Sequence, residues 1–294
     1  MFSYVINHFS PPGGPAHLRH STALAASLAA AIDLVDQVVV VDGSAEPDET
    51  LRETLGETLG GKLVAYVHDG RRLSFAEGYN RGLAAASGAW TVLAASDVYP
   101  HPQALRSAAR LVERVGAETI GCIIPRLTSS DLPLQETRSH FLSRPVRVPL
   151  MTLNLNMFPT AYLRELGGIP EQPGGNFNDV LLGARIHRSG RSIWMVPDRV
   201  PHYGSLTLEA GGSSASVSRD RAFMAEHHPD LVSAERFWGL SVRAQSGGHP
   251  GLARMLRLAS VAPAGRRARV DARVLTLHTA LRSLSPTRSG EPRG

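Results

Sequence analysis

Residues Ser74–Pro100, SFAEGYNRGLAAASGAWTVLAASDVYP, decide how this chain folds. Phe75, Tyr79, Leu83 and Ala86 recur at three- and four-residue steps, the spacing of a helical stripe turned toward a core. Ser74 stands at the N-cap position, and Glu77 three residues on completes a capping box. Ser87-Gly88 ends the helix. Trp90–Ala94 is then short, apolar and rich in strand formers, as expected of a central strand covered on both faces. Asp97 follows the carboxyl end of that strand, where open α/β sheets place their ligand groups.

The pattern repeats outward. Upstream lie a strand at Phe2–Asn7, a Pro-Pro-Gly-Gly loop from His8 to Pro15, and a helix from His17 to Ala31. A nearly pure valine strand, Gln37–Val41, runs into Asp42-Gly43-Ser44, with Pro47 and Asp48 opening the next helix. Lys62–His68 is a third strand, ending at Asp69-Gly70. Downstream, His101–Val115 reads as a helix and Ile120–Ile124 as a strand. Strands alternating with helices at this spacing predict right-handed βαβ units and a mostly parallel sheet flanked by helices. Asn7, Asp42, Asp69 and Asp97 then gather along one edge, which predicts one ligand cleft there.

Beyond Pro125 the pattern loosens. Arg126–Pro149 is either a β-excursion or a loop over the cleft. Thr152–Phe158 resumes as a strand, Thr160–Leu166 as a short helix closed by Gly167-Gly168. Phe177-Asn178-Asp179 opens a helix that reaches Arg188. Ser192–Val196 is a strand leading to Val200-Pro201-His202-Tyr203. Gly211–Ser218, small and polar, reads as flexible, and Ala222–Trp238 as a helix broken near Pro229.

At 294 residues the chain accommodates one α/β domain, taken as residues 1–240, with an appendage at 241–294. Lys62 is the only lysine, so the net charge of +5 is carried almost wholly by arginine. Ten arginines against Asp271 and Glu291 fall within Ser241–Gly294, so the rest is slightly acidic. The basic character belongs to a tail and not to a nucleic-acid-binding face. Two arginine-rich segments, Leu252–Val261 and Val270–Leu284, are read as solvated or partly disordered helix, with a surface helix drawn to anionic lipid headgroups as the functional alternative. A single cysteine, Cys122, forms no internal disulfide or Cys-based zinc site, no basic segment followed by an apolar run opens the chain, and no apolar run approaches the roughly 20 residues of a membrane helix. These features predict a cytoplasmic protein, at most peripheral to the inner face of the membrane.

Several chemistries are excluded. Gly56–Leu63 nearly spells a phosphate loop, but Leu63 stands where a hydroxyl residue is required and the segment precedes a strand. Dinucleotide, nucleophile-elbow and zinc-peptidase motifs are absent.

Five blocks in order, VVVVDGSAEPDET, SFAEGYNRGLAAASGAW, LAASDVYPHPQAL, LGGIPEQPGGNFNDVLLGARIHRSG and VPDRVPHYGS, resemble a family 2 glycosyltransferase of the GT-A fold. The resemblance covers about Phe2 to Ser205. It implies a nucleotide-diphospho-sugar transferase, Rossmann-like, that moves a sugar with inversion from a nucleotide-sugar donor to a saccharide, lipid-linked or small-molecule acceptor. Asp42 matches the acid that hydrogen-bonds the nucleotide base, and Asn80 and Gly82 match the Asn-x-Gly beside the donor. Asp97 matches the last acid of the Asp-x-Asp motif that holds Mg²⁺ or Mn²⁺ on the diphosphate. Ala95-Ser96-Asp97 retains only that one carboxylate. His202 matches a histidine that completes the metal site in several members. Asp179 matches the catalytic base, with Asn178 where the family usually carries Glu. Each residue also has a structural explanation: Asp42 and Asp179 as helix caps, Asn80 and Gly82 as packing residues, Asp97 as a capping acid before Pro100. The departures at Ala95 and Asn178 keep open a degenerate domain that binds a sugar nucleotide or a partner without turnover. A nucleotidyltransferase is the third reading, weakened because the loop after the first strand carries no base until Arg19.

Overall fold

The computed structural model describes residues 2–9, 17–60, 63–128, 144–148, 151–175, 177–203 and 214–227, with a few positions between 244 and 256. In order these are β1 (Phe2–His8), α1 (His17–Ala30), β2 (Val35–Asp42), α2 (Glu49–Leu59), β3 (Leu63–His68), α3 (Phe75–Ala85), β4 (Trp90–Ala95), α4 (Pro102–Val115) and β5 (Ile120–Leu127). Then follow β6 (Val146–Val148), β7 (Leu155–Pro159), α5 (Thr160–Glu165), α6 (Asn178–Arg188), β8 (Ser192–Val200) and α7 (Ser214–His227).

One eight-stranded sheet has the order β3-β2-β1-β4-β7-β5-β8-β6. β3, β2, β1 and β4 are mutually parallel, and β5 is parallel to β8. β7 runs antiparallel to both β4 and β5, so those two point the same way, and β6 is an antiparallel edge. Six strands therefore deliver their carboxyl ends to one edge. Register fixes the details: His8 pairs with Asp42, Asp42 with His68, and Asn7 with Ala95.

The valine run of β2 explains the layering. Val38 and Val40 pack with Leu24 and Leu28 of α1, Leu51 of α2 and Leu105 of α4. Val39 and Val41 point the other way, among Tyr79 and Leu83 of α3 and Leu182 and Ile186 of α6. Both faces are covered, so no polar alternation is possible in the strand.

α3 runs back along β1 at unusually close range. A Cβ on Gly78 would lie 2.2 Å from Asn7 Oδ1, and one on Gly82 would lie 2.1 Å from Val5 Cγ1. The helix is capped as expected: Glu77 N–H donates to Ser74 Oγ at 3.1 Å, and Ser74 N–H donates to Glu77 Oε2 at 2.7 Å. On α6, Ile186 abuts Gly121 at the start of β5. The helix therefore descends the sheet and its first turn sits at the carboxyl edge.

Some boundaries differ from the sequence pattern. β7 begins at Leu155 and not Thr152, because Ala95 N–H takes the Asn154 carbonyl (3.0 Å) where the chain turns over the strand end. The continuation of β8 to Val200 is drawn out by pairing with Arg126 and Leu127. The stretch read as flexible, Gly211–Ser218, is helical from Ser214 onward. Of Arg126–Pro149, residues 129–143 and 149 lie outside the described part, and its resolved end forms β6. The helix extension from 228 to 238, the boundary at 240 and nearly all of the two arginine-rich segments also lie outside it. Among the described residues no helix is long and apolar enough to cross a membrane.

Candidate active site

Three groups of polar side chains meet the carboxyl edge. At the β1–β2–β3 end, Asp42 is fully buried. Its Oδ1 accepts Ser44 N–H (2.9 Å), and its Oδ2 accepts Asp48 N–H (2.7 Å) and the Tyr66 hydroxyl (2.5 Å). Asp48 in turn caps α2 through Leu51 N–H (3.0 Å) and meets His8 Nε2 at 3.0 Å. Burial alone would push the Asp42 carboxyl up, but the bonds from Ser44, Tyr66 and Asp48 outweigh it and hold the carboxyl below its ordinary value. Tyr66 is pushed well above the usual phenol range, by burial and by its bond to Asp42, and so stays a donor. Asp42 is thus the buried hub of this loop.

Because the folded carboxyl is depressed, its stabilisation is complete above the unfolded value and drains away as pH falls through the folded one. Asp42→Ala strands three donors and should lower unfolding free energy by about 3 kcal/mol at pH 7. As pH drops below about 4, the ordinary carboxylate value, the wild-type melting temperature should then fall more steeply than the variant's. Parallel slopes in a pH series of thermal melts would contradict this account.

Asn80 and Gly82 act on the backbone. Gly82 seats α3 against Val5, and Asn80 clamps the turn after α5: its Nδ2 donates to the Ile169 carbonyl (2.9 Å) and its Oδ1 accepts Ile169 N–H (2.7 Å). Gly168, at φ 74°, lies so close that a Cβ would approach Asn80 Oδ1 to 2.3 Å. A side chain at either Gly82 or Gly168 would force these elements apart.

The second group joins opposite halves of the chain. Val98 and His202 form an antiparallel bridge, Tyr203 N–H donates to the Asp97 carbonyl (3.1 Å) and Tyr99 N–H to that of Pro201 (3.0 Å). Thr128 Oγ1 accepts His202 N–H at 2.9 Å. This brings Asp97 Oδ2 to 3.7 Å from His202 Nε2, with both side chains largely buried. Beside them the Tyr99 and Tyr203 rings meet at 4.7 Å, and Tyr99 is pushed up to about 12 by burial, Tyr203 and the Asp97 charge. Two ligands each about 2.1 Å from one small cation stand about 3 to 4 Å apart, so the pair fits a shared divalent ion. Among the described residues no cluster of three or more His, Cys, Asp or Glu suits a metal. Any such ion would take its remaining ligands from a bound anion and water.

The third group is the first turn of α6. Phe177 adopts a left-handed conformation (φ 59°), the only non-glycine to do so among the described residues. It turns the chain so that Asn178 is buried and Asp179 half-buried, with Asp179 Oδ1 accepting Val180 N–H at 2.8 Å. Neither polar atom of the Asn178 amide has a hydrogen-bond partner among the described residues. The structure brings Asp97 and His202 together, sets Asp179 on the same edge, and places Asp42, Asn80 and Gly82 in the scaffold around them.

Residues without a sequence signal also enter. His8, Tyr66 and Tyr99 carry no motif, and Asp220 on α7 reaches Gly174 across 46 positions. Only the Asp220–Met224 spacing, one helical turn, hinted at a shared face.

The family model for glycosyl transferase family 2 matches residues 15–176, more than half the chain. The chain belongs to glycosyl transferase family 2. A comparison with curated proteins found no match. Among solved structures, a mannosyltransferase from Pyrobaculum calidifontis, in complex with GDP-Man and Mn²⁺, is 18% identical, with a TM-score of 0.55 over 97% of this chain and 87% of its own. TarS of S. aureus (residues 1–349, with UDP-GlcNAc) gives 17%, 0.56, 96% and 90% in the same order. GalNAc-T7 with UDP, GalNAc and Mn²⁺ gives 20% and 0.54 over 80% of this chain and half of its own. At these identities the likeness is one of fold, and the fold of this family 2 glycosyltransferase is GT-A.

Proposed function

We propose that this family 2 protein is an inverting, nucleotide-sugar-dependent glycosyltransferase acting on an acceptor hydroxyl in the cytoplasm, its catalytic unit in residues 1–240 and the basic segment 241–294 appended to it. The observation that carries the reading is the pairing of Asp97 with His202 at 3.7 Å on the sheet edge that also holds Asp179. Asp97 Oδ2 and His202 Nε2 would hold Mg²⁺ or Mn²⁺. A bound divalent ion supplies neutralisation of the charge on the departing nucleoside diphosphate. Neighbours in fold contain GDP-Man with Mn²⁺ or UDP-GlcNAc, which supports a nucleotide-sugar donor here.

The chain's own residues divide the remaining work. The loop organised by Asp42 forms the floor for the base. Asp179 accepts the proton of the acceptor hydroxyl while that oxygen bonds to the anomeric carbon and the bond to the diphosphate oxygen breaks. A carboxylate at a helix N-terminus is electrostatically favoured, which suits a base. The second reading, a binding module without turnover, is favoured by the single carboxylate of Ala95-Ser96-Asp97 and by Asn178.

Calorimetric titration with UDP-, dTDP- and GDP-sugars, with and without Mn²⁺, tests the reading. One donor should bind saturably and more tightly with Mn²⁺, and release of its nucleoside diphosphate should follow. Binding without any turnover across a panel of acceptors would favour the binding module, and no binding of any donor would end the enzyme reading and leave the module, as a partner-binding domain, the better account.

A further inference from the structure

Helix α7 packs against the loop and the helix that flank Asp179. Asp220, fully buried, accepts Gly174 N–H at 2.6 Å, and Arg219 donates to the Pro173 carbonyl at 3.4 Å. One turn further along, Met224 Sδ meets Gln172 Nε2 at 3.6 Å and packs with Leu181 of α6, flanked by Phe177 and Val180. One helix face therefore grips both the loop before the Phe177 turn and the helix after it.

The grip matters because of what lies between. The loop turns at Gly175 (φ 77°), whose N–H takes the Gln172 carbonyl at 3.2 Å, and then passes through Phe177 at φ 59°. A bulky residue in that conformation persists only where its surroundings over-determine it. Asn80 fixes the loop at Ile169, and Leu181 holds it beyond the turn. Asp220 supplies the hold at Gly174. A carboxylate removed from water is costly unless hydrogen bonds or charge pairing offset the loss, and the bond from Gly174 N–H is one that does so at Asp220.

We propose that Asp220 is a positioning residue: through Gly174 it fixes the left-handed turn that sets Asp179 against the acceptor hydroxyl. The inference rests on the glycosyl-transfer reading above. Asp220 touches no reacting atom. Its effect falls on the step that needs Asp179 and leaves donor affinity alone, because Asp97, His202 and the Asp42 loop are built on other elements.

The test uses the full chain with Mn²⁺ and two probes, UDP-GlcNAc and GDP-mannose, following binding by calorimetry and nucleoside diphosphate release. A misplaced reacting group costs up to about a hundredfold, so Asp220→Ala should lose about tenfold to a hundredfold in turnover with donor Kd within about twofold of wild type. Asp220→Asn keeps an acceptor oxygen for Gly174 and should recover to within about threefold of wild type. Amide hydrogen exchange over residues 174–179 should rise in Asp220→Ala and stay low in Asp220→Asn. Should Asp220→Ala fail to fold, the exposed Arg219→Ala carries the test, with faster exchange at the same amides and about a threefold loss of turnover. Wild-type turnover in Asp220→Ala, or in Arg219→Ala where Asp220→Ala does not fold, or an Asn variant as impaired as Ala, overturns the assignment. Failure of the wild type to bind either probe or any other UDP-, dTDP- or GDP-sugar removes the glycosyl-transfer reading and the positioning role with it, an outcome separate from unchanged variants.

Discussion

Asp179→Asn is expected to reduce sugar transfer by about a thousandfold, within the range that a positioned general base contributes. The substitution is chosen for what it preserves. Asn keeps an oxygen for the 2.8 Å bond from Val180 N–H, so the first turn of α6 survives and the change is confined to loss of a basic carboxylate. Donor affinity in Mn²⁺ should therefore stay within about twofold of wild type, since Asp97 and His202 come from other elements. Single-turnover measurement of nucleoside diphosphate release, beside calorimetric Kd, separates the two quantities. A parallel loss of binding and rate would mean that Asp179 holds the donor and does not take the proton. Turnover at the wild-type rate would remove it from the chemistry altogether. If transfer inverts, as proposed, the product anomer observed by NMR is opposite to that of the donor.

The sheet was legible because its burial is two-sided. Val38–Val41 has no polar alternation, and in the fold successive valines join opposite hydrophobic layers. The Ser74–Glu77 capping box was equally readable, since both of its bonds are local. Strand direction was not: Leu155–Pro159 looks like its parallel neighbours, and it is antiparallel because the chain re-enters between β4 and β5 from the carboxyl edge. The start of α7 was misread for a related reason. Gly211–Ser218 has no apolar stripe, and α7 is anchored by Asp220 and Met224 meeting a distant loop.

At the candidate site, sequence marked the positions more readily than the geometry. Asp42 and Asn80 fall where the family resemblance puts donor contacts, yet each spends its hydrogen-bonding capacity on backbone or on Tyr66, and Gly82 is required by the close approach to Val5. Asp42 also takes the nearby Ser44 and Asp48 amides, but its third partner, Tyr66, is 24 positions away, and Ile169 is 89 from Asn80. The pairing of Asp97 with His202 is of the same kind, made by the crossing of the β4 and β8 exits.

Asp97→Ala is expected to abolish the cation dependence of donor binding. With Mn²⁺ present, affinity for the nucleotide sugar should fall about a hundredfold, a loss of about 2.7 kcal/mol. Chelation with EDTA should bring the wild type down to the same level and leave the variant unchanged. The turn itself should survive, because it is the Asp97 main-chain carbonyl that takes Tyr203 N–H, while Val98 and Tyr99 bind the opposite strand through backbone. His202→Ala should cost less, about tenfold, because an imidazole contributes no negative charge to the ion and the diphosphate oxygens remain. The ordering is the diagnostic part. If the histidine variant lost more than the aspartate variant, or if Mn²⁺ still tightened binding to Asp97→Ala, the cation would have to be held elsewhere on the edge. With Ala95 in place of the first acid, a single carboxylate must then carry most of the electrostatic load, so the wild type should need a higher Mn²⁺ concentration for half-saturation than an Ala95→Asp variant that restores a second one.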